Sequence, residues 1–185
     1  HRGAGAEAPE NPLAALRLAL AQGADGVELD AWRCATGEVV VVHDEDLARV
    51  AGAPLRVPDS PLAALRALDV GAWKGERWRD ERIASLEDVL AVVPARKKVV
   101  IELKADPEIV EPLAAVLKQA AIDDESILVI SLVDATVAEC KRRMPNVRCH
   151  WLSRYKQRAD GGWFPTANDV IDTIRRLGAA GFGSG

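Results

Sequence analysis

No apolar run in this chain approaches the roughly 18 residues that a membrane-crossing helix requires, so nothing in it reads as a transmembrane segment. Cysteine is scarce. Cys34, Cys140 and Cys149 are odd in number and lack C-x-x-C spacing, which supports neither a disulfide framework nor a zinc site and leaves them as packing thiols. Three free thiols lean toward a reducing compartment, so the expected location is cytoplasmic, with an upstream signal peptide left open because the chain does not start at methionine. A basic excess is also missing: 24 Lys and Arg against 28 Asp and Glu give a net charge of −4, which removes the electrostatic footprint of a nucleic-acid binder. No G-x-G-x-x-G follows a strand, which argues against an open doubly wound dinucleotide fold. Aromatics are few and weighted to tryptophan, five against two phenylalanines; Trp73, Trp78, Trp151 and Trp163 read as packing or pocket wall.

What is present alternates. The 185 residues fit one domain, 1–185, and β-branched runs take turns with helical stretches, the pattern of an α/β fold with a parallel sheet. Helices are expected over 12–22, 86–93, 107–121, 135–143 and 166–177. Strands are expected over 26–31, 39–43, 98–103, 126–132 and 147–151, with residues 181–185 opening another. Ser85 and Asp88 form an imperfect capping box, and Glu10-Asn11 reads equally as a cap on the first helix, with Asn11 as N-cap, or as a functional pair, the two roles being compatible. An insertion at about 45–82, with a short helix near 61–68, and a polar loop at 153–165 break the rhythm. Adding a strand implied before His1, the count is about seven. The expected fold is a TIM (β/α)8 barrel truncated at both ends, lacking part of its first strand and its last βα units.

Glu28 and Asp30 stand two apart on a strand and therefore share a face. Glu102 and Lys104 repeat that spacing on a later strand, and His43 ends a third. In a barrel all three C-terminal ends converge, and three inward carboxylates repel one another unless a cation sits between them. Oxygen-only ligation favours magnesium or calcium over zinc. Plain alternatives exist: edge charges at Glu28 and Asp30, a satisfied core histidine at His43, a solvated strand end at Lys104. Gly26 and Val27 before the pair with the apolar Leu29 between them, and the strand-end position of His43 beside Asp44, argue against the first two. Asp44 and Ser131, also at strand ends, read equally as support or as contacts.

H-R-G at 1–3, P-E-N at 9–11, G-A-D-G-V-E-L-D at 23–30, V-V-H-D at 41–44, A-S-L-E-D-V-L at 84–90 and I-E-L-K at 101–104 together resemble the glycerophosphodiester phosphodiesterase family, over essentially the whole chain. The resemblance implies a PLC-like phosphodiesterase barrel and metal-dependent hydrolysis of glycerophosphodiesters to an alcohol and sn-glycerol 3-phosphate, through a cyclic phosphate. By the same resemblance Glu28, Asp30 and Glu102 match the metal-binding carboxylates, for one divalent cation, Mg2+ or Ca2+. His1 and His43 match the pair that exchanges protons with the phosphodiester, and Arg2 and Lys104 match the positions that hold phosphate oxygens. The expected partner is a small-molecule glycerophosphodiester. Competing readings are a lysophospholipase D- or sphingomyelinase D-like enzyme acting on lipids, which the insertion with Trp73 and Trp78 could serve, an inactive fragment of such a barrel, and, more distantly, a glycosidase using Glu28 and Glu102.

Overall fold

The computed structural model describes residues 1–120 and 122–184. Five strands, β1 (Gly26–Arg33), β4 (Lys98–Leu103), β5 (Ile127–Ser131), β6 (Arg148–Ser153) and β9 (Gly181–Ser184), pair parallel in chain order. Helices α5 (Val110–Ala120), α6 (Asp134–Arg143) and α7 (Ala167–Leu177) connect β4, β5, β6 and β9 as successive crossovers, the repeating unit of the expected barrel. Alternation along β4 explains how the sheet is covered: Val99, Ile101 and Leu103 are fully buried in the main core, and Val100 and Glu102 take the opposite face. Helices α1 (Leu13–Ala21) and α4 (Leu86–Val92) pack on the same core through Leu16, Leu86, Val89 and Leu90. The box at α4 is complete, Ser85 accepting from the Asp88 N–H at 3.3 Å and donating its own N–H to the Asp88 carboxylate at 2.9 Å. Thr166 and Asp169 repeat it at α7.

One expectation is corrected in direction. The valine run forms β2 (Val39–Val41), which pairs antiparallel to β1 and is not a barrel strand. Strand β1 runs past residue 31, where it was expected to stop, and its last three residues, Ala31 to Arg33, offer β2 an edge. A tight turn with Gly37 at φ +99° reverses the chain between them. The short strand β3 (Ala84–Ser85) adds to β2, giving the order β3-β2-β1-β4-β5-β6-β9. His43 therefore reaches the level of Asp30 by running back down beside β1, not by ending a barrel strand: the Val42 N–H donates to the Asp30 carbonyl at 3.0 Å.

The insertion carries its own core. Helices α2 (Ala48–Ala51) and α3 (Leu62–Arg66) enclose Leu47, Val50, Val57, Leu65, Val70 and Ile83. Strand β2 and the residue that follows it serve both cores, Val39 and Val41 on the main side and Val40 and Val42 on the insertion side. In the expected loop at 153–165 the chain forms a small hairpin, β7 (Lys156–Gln157) with β8 (Trp163–Phe164). The helix expected to reach residue 121 is described to Ala120, and the strand expected over 181–185 to Ser184; Ala121 and Gly185 lie outside the described residues.

Candidate active site

Parallel pairing sets Asp30 of β1 directly opposite Glu102 of β4, and Glu28 lies two residues back on the same face. The three carboxylates each present an oxygen within 4.8 Å of the others. Asp30 is fully buried. An isolated carboxylate there would carry a desolvation cost of several kcal/mol, and two cations meet it: Arg2 Nε lies 3.2 Å from Oδ2 and Lys104 Nζ 3.0 Å from Oδ1. Neither contact has hydrogen-bond angles, so Arg2 Nε and Asp30 Oδ1 are buried polar atoms neutralised in charge but without a hydrogen bond. Lys104 directs its hydrogen bond to Glu102 instead, at 2.5 Å. The Arg2 backbone N–H donates to Glu28 Oε2 at 2.7 Å. Burial pushes the Glu28 carboxyl above its usual range, that hydrogen bond opposes the shift, and neighbouring Asp30 adds to it.

The donor set fits a hard divalent cation. All three groups offer oxygen, they converge, and Asp30 Oδ1 keeps its lone pairs free of any hydrogen bond inside the cluster.

The opening residues reach this cluster by a path that sequence reasoning did not foresee. Residues 2–7 form turns, with Arg2 at φ 52° and Gly3 at φ 74°. A Cβ on Gly3 would lie 2.6 Å from the Ala15 backbone carbonyl carbon, so the turn rests directly on α1. Asn11, at φ 73°, turns away from the helix it was expected to cap; its amide donates to Asp30 Oδ2 at 3.0 Å and its carbonyl accepts the Asp30 N–H at 3.2 Å. Helix α1 has no side-chain cap. The insertion clasps the same segment from the other side. Lys74 Nζ donates to the Gly5 carbonyl at 2.8 Å, and Arg77 and the Trp78 indole both donate to the Glu7 carbonyl, at 2.8 and 3.2 Å.

Of the seven candidate residues, Arg2, Glu28, Asp30, Glu102 and Lys104 meet in one contacting group. His43 stands beside it, its carbonyl accepting from the Trp32 indole at 3.1 Å and its Nδ1 lying 2.6 Å from Asp44 Oδ1. Burial acts to raise the Asp44 carboxyl, but hydrogen bonds from Arg49 and His43 outweigh it and hold Asp44 below its usual range. His1 is exposed and lines a cleft of about 390 Å³ with Arg2, Gly3, Glu7, Glu10 and Gln22. Ser131 is structural, its hydroxyl donating to the Leu103 carbonyl at 2.8 Å and accepting from Val133 N–H at 3.1 Å. Asn11, Glu10 and Arg49 are the polar neighbours that motif spacing did not single out for the site. Only the P-E-N triplet hinted at the first two.

Comparison with known proteins shows what the chain is similar to. The profile of the glycerophosphoryl diester phosphodiesterase family matches residues 1–142. A Bacillus subtilis relative is 40% identical over 107 residues, 58% of this chain and 44% of its own length. The glycerophosphodiester phosphodiesterase of Caldanaerobacter subterraneus subsp. tengcongensis is 32% identical over 153 residues, covering 80% of this chain and 63% of its own. The chain thus spans about half the length of the curated relatives it matches. An Oleispira antarctica phosphodiesterase, solved in complex with the product sn-glycerol 3-phosphate, superposes with a TM-score of 0.87 at 28% identity, over 100% of this chain and 72% of that one.

Proposed function

The chain belongs to the glycerophosphoryl diester phosphodiesterase family, and from that premise we propose that it hydrolyses glycerophosphodiesters to an alcohol and sn-glycerol 3-phosphate, with residues 1–185 acting as one catalytic domain. The observation that carries the reading is the convergence of Glu28, Asp30 and Glu102 with Arg2 and Lys104 between and beside them. A phosphodiester monoanion repels nucleophiles, and a site that gathers cationic groups around hard oxygen donors is built to cancel that charge. Glu28, Asp30 and Glu102 would hold one divalent cation, Mg2+ or Ca2+, which supplies Lewis-acid charge stabilisation when bound. Arg2 and Lys104 bind non-bridging phosphate oxygens.

The histidines move the protons. The glycerol hydroxyl next to the ester attacks phosphorus and gives its proton to one ring, while the other ring protonates the departing alkoxide, leaving a cyclic phosphate and a free alcohol. Water then opens the cyclic ester with the two roles reversed, which restores both rings. Histidine suits both halves because its ordinary pKa of about 6.5 lets it hold or release a proton near neutrality. An ionised carboxylate only accepts, so the 2.6 Å contact with Asp44 supports a His43 ring that carries its hydrogen on Nδ1 and offers Nε2 to substrate.

Among the described residues, those of the insertion do not favour the lipid reading. Buried apolar residues of the insertion fill its own core, the Trp78 indole is committed to Glu7, and the half-exposed Trp73 ring has Arg49 at 5.8 Å and Lys74 at 5.6 Å from its centroid.

The test is release of sn-glycerol 3-phosphate from glycerophosphocholine in Mg2+ or Ca2+ buffer. EDTA and Asp30→Asn are each expected to stop it, and His43→Ala or His1→Ala to reduce it by a factor on the order of 100 or more. Turnover that persists in EDTA overturns the metal role, and near-wild-type turnover in either histidine variant overturns the proton-transfer assignment.

A further inference from the structure

One cation outside the contacting group links it to His43. Arg49, in the short helix α2, donates through Nε to Asp44 Oδ2 at 2.6 Å and through a terminal nitrogen to Glu10 Oε1. The second oxygen of each acid faces a residue of the proposed machinery: Asp44 Oδ1 meets His43 Nδ1 at 2.6 Å, and Glu10 Oε2 accepts from an Arg2 terminal nitrogen at 3.2 Å. The result is an unbroken run, His43–Asp44–Arg49–Glu10–Arg2, that alternates donor and acceptor and spans from the insertion to the opening turn. The Trp73 ring lies 5.8 Å from the guanidinium carbon, a further restraint on the fork.

We propose that Arg49 is a positioning residue whose two-armed guanidinium sets, together, the carboxylate that fixes the tautomer of His43 and the carboxylate that holds Arg2 over Asp30. The inference rests on the proton-transfer role of His43 and the phosphate role of Arg2 given above. The chemistry requires an arginine. A guanidinium carries rigid, planar, divergent donors and can serve two carboxylates at fixed geometry; a lysine ammonium is a point charge on a flexible stem and cannot hold both in register. Without Arg49 each acid keeps one partner on one oxygen and is free to swing about its own side-chain bond. Nearly half of the Arg49 side chain is exposed, 46%, and exposed ion pairs contribute little to folding stability. The effect therefore belongs in the site and not in the melting curve.

The experiment compares wild type, Arg49→Gln, Arg49→Lys, Asp44→Asn and the Arg49→Gln/Asp44→Asn double variant. It measures kcat and KM on glycerophosphocholine, Tm, and the 15N shifts of the His43 ring in alkaline buffer. Arg49→Gln is expected to lower kcat by roughly 10- to 100-fold, the usual effect of removing a group that orients a catalytic residue, with little change in Tm. Its His43 ring should shift from a single Nδ1–H tautomer to a mixture. Arg49→Lys should recover KM, because charge is restored near Arg2, but not kcat. The double variant should be no slower in kcat than Asp44→Asn, because Arg49 reaches His43 through Asp44. A kcat for Arg49→Gln within twofold of wild type, losses that multiply in the double variant, or an unchanged tautomer each overturn the proposal. The nitrogen shifts report on Arg49 even if glycerophosphocholine is not turned over, so failure of the positioning role and failure of the proposed reaction remain distinguishable.

Discussion

Asn11 shows how a single side chain can be misread when its neighbours imitate a familiar signal. An asparagine before proline at the head of an apolar repeat reads as a helix cap, yet its left-handed backbone sends the amide into Asp30 and leaves α1 uncapped. Local sequence could not reveal this, because the partner lies 19 residues away on β1. Glu28, Asp30, Glu102 and Lys104 were legible for the opposite reason: the two-residue period of a strand fixes their face without reference to anything distant. Replacing Asn11 by Ala removes the hydrogen bonds to Asp30 Oδ2 and from the Asp30 N–H, which costs about 1–3 kcal/mol. Urea unfolding should show that loss as a lower midpoint at unchanged slope. Gly3→Ala should be more damaging than its size suggests, since both its positive φ and the Ala15 backbone oppose a Cβ.

At the scale of elements, the parallel strands and their helices followed from periodicity, and the direction of β2 did not. A run of four valines, residues 39–42, looks the same whether it is a barrel strand between helix layers or an antiparallel strand between two cores; in both cases each face is apolar. What decides is the overrun of β1 and the turn at Gly37, a tertiary choice. The insertion is likewise organised by a group that spacing does not reveal. The Asp69 carboxylate accepts N–H groups from Asp80 at 2.9 Å, Ala72 at 2.9 Å and Gly71 at 2.8 Å, which together hold its pKa down to about 2. A depressed carboxyl contributes its stability above the usual aspartate pKa of 3.8 and loses it as pH falls toward about 2. Asp69→Ala should therefore melt below wild type at pH 7, and the gap between the two should close as thermal scans are repeated from pH 4 down to pH 2. Thr166→Ala, which removes the hydroxyl of the box at α7, should cost about 1 kcal/mol in denaturant unfolding with the same m-value.

For the whole molecule, three converging carboxylates make stability depend on what binds between them. A cation that binds the folded chain alone adds RT ln(1 + [L]/Kd), about 2.7 kcal/mol at a hundredfold excess over Kd. Titrating Mg2+ or Ca2+ should thus raise Tm in wild type and leave it flat in Asp30→Asn; a flat wild-type titration with both ions would count against the metal site. Because β2 belongs to both cores, the transition should remain single, and tryptophan fluorescence and far-UV circular dichroism should report one midpoint. The clasp between the insertion and the opening turn carries a last consequence. Lys74, Arg77 and Trp78 hold carbonyls of Gly5 and Glu7, not side chains, and every peptide unit owns a carbonyl. Residues 5–7 can therefore drift through many identities while the clasp persists. Comparing homologues will reveal this contact on one side only, as constancy at three donors, with no covarying partner to betray what they hold.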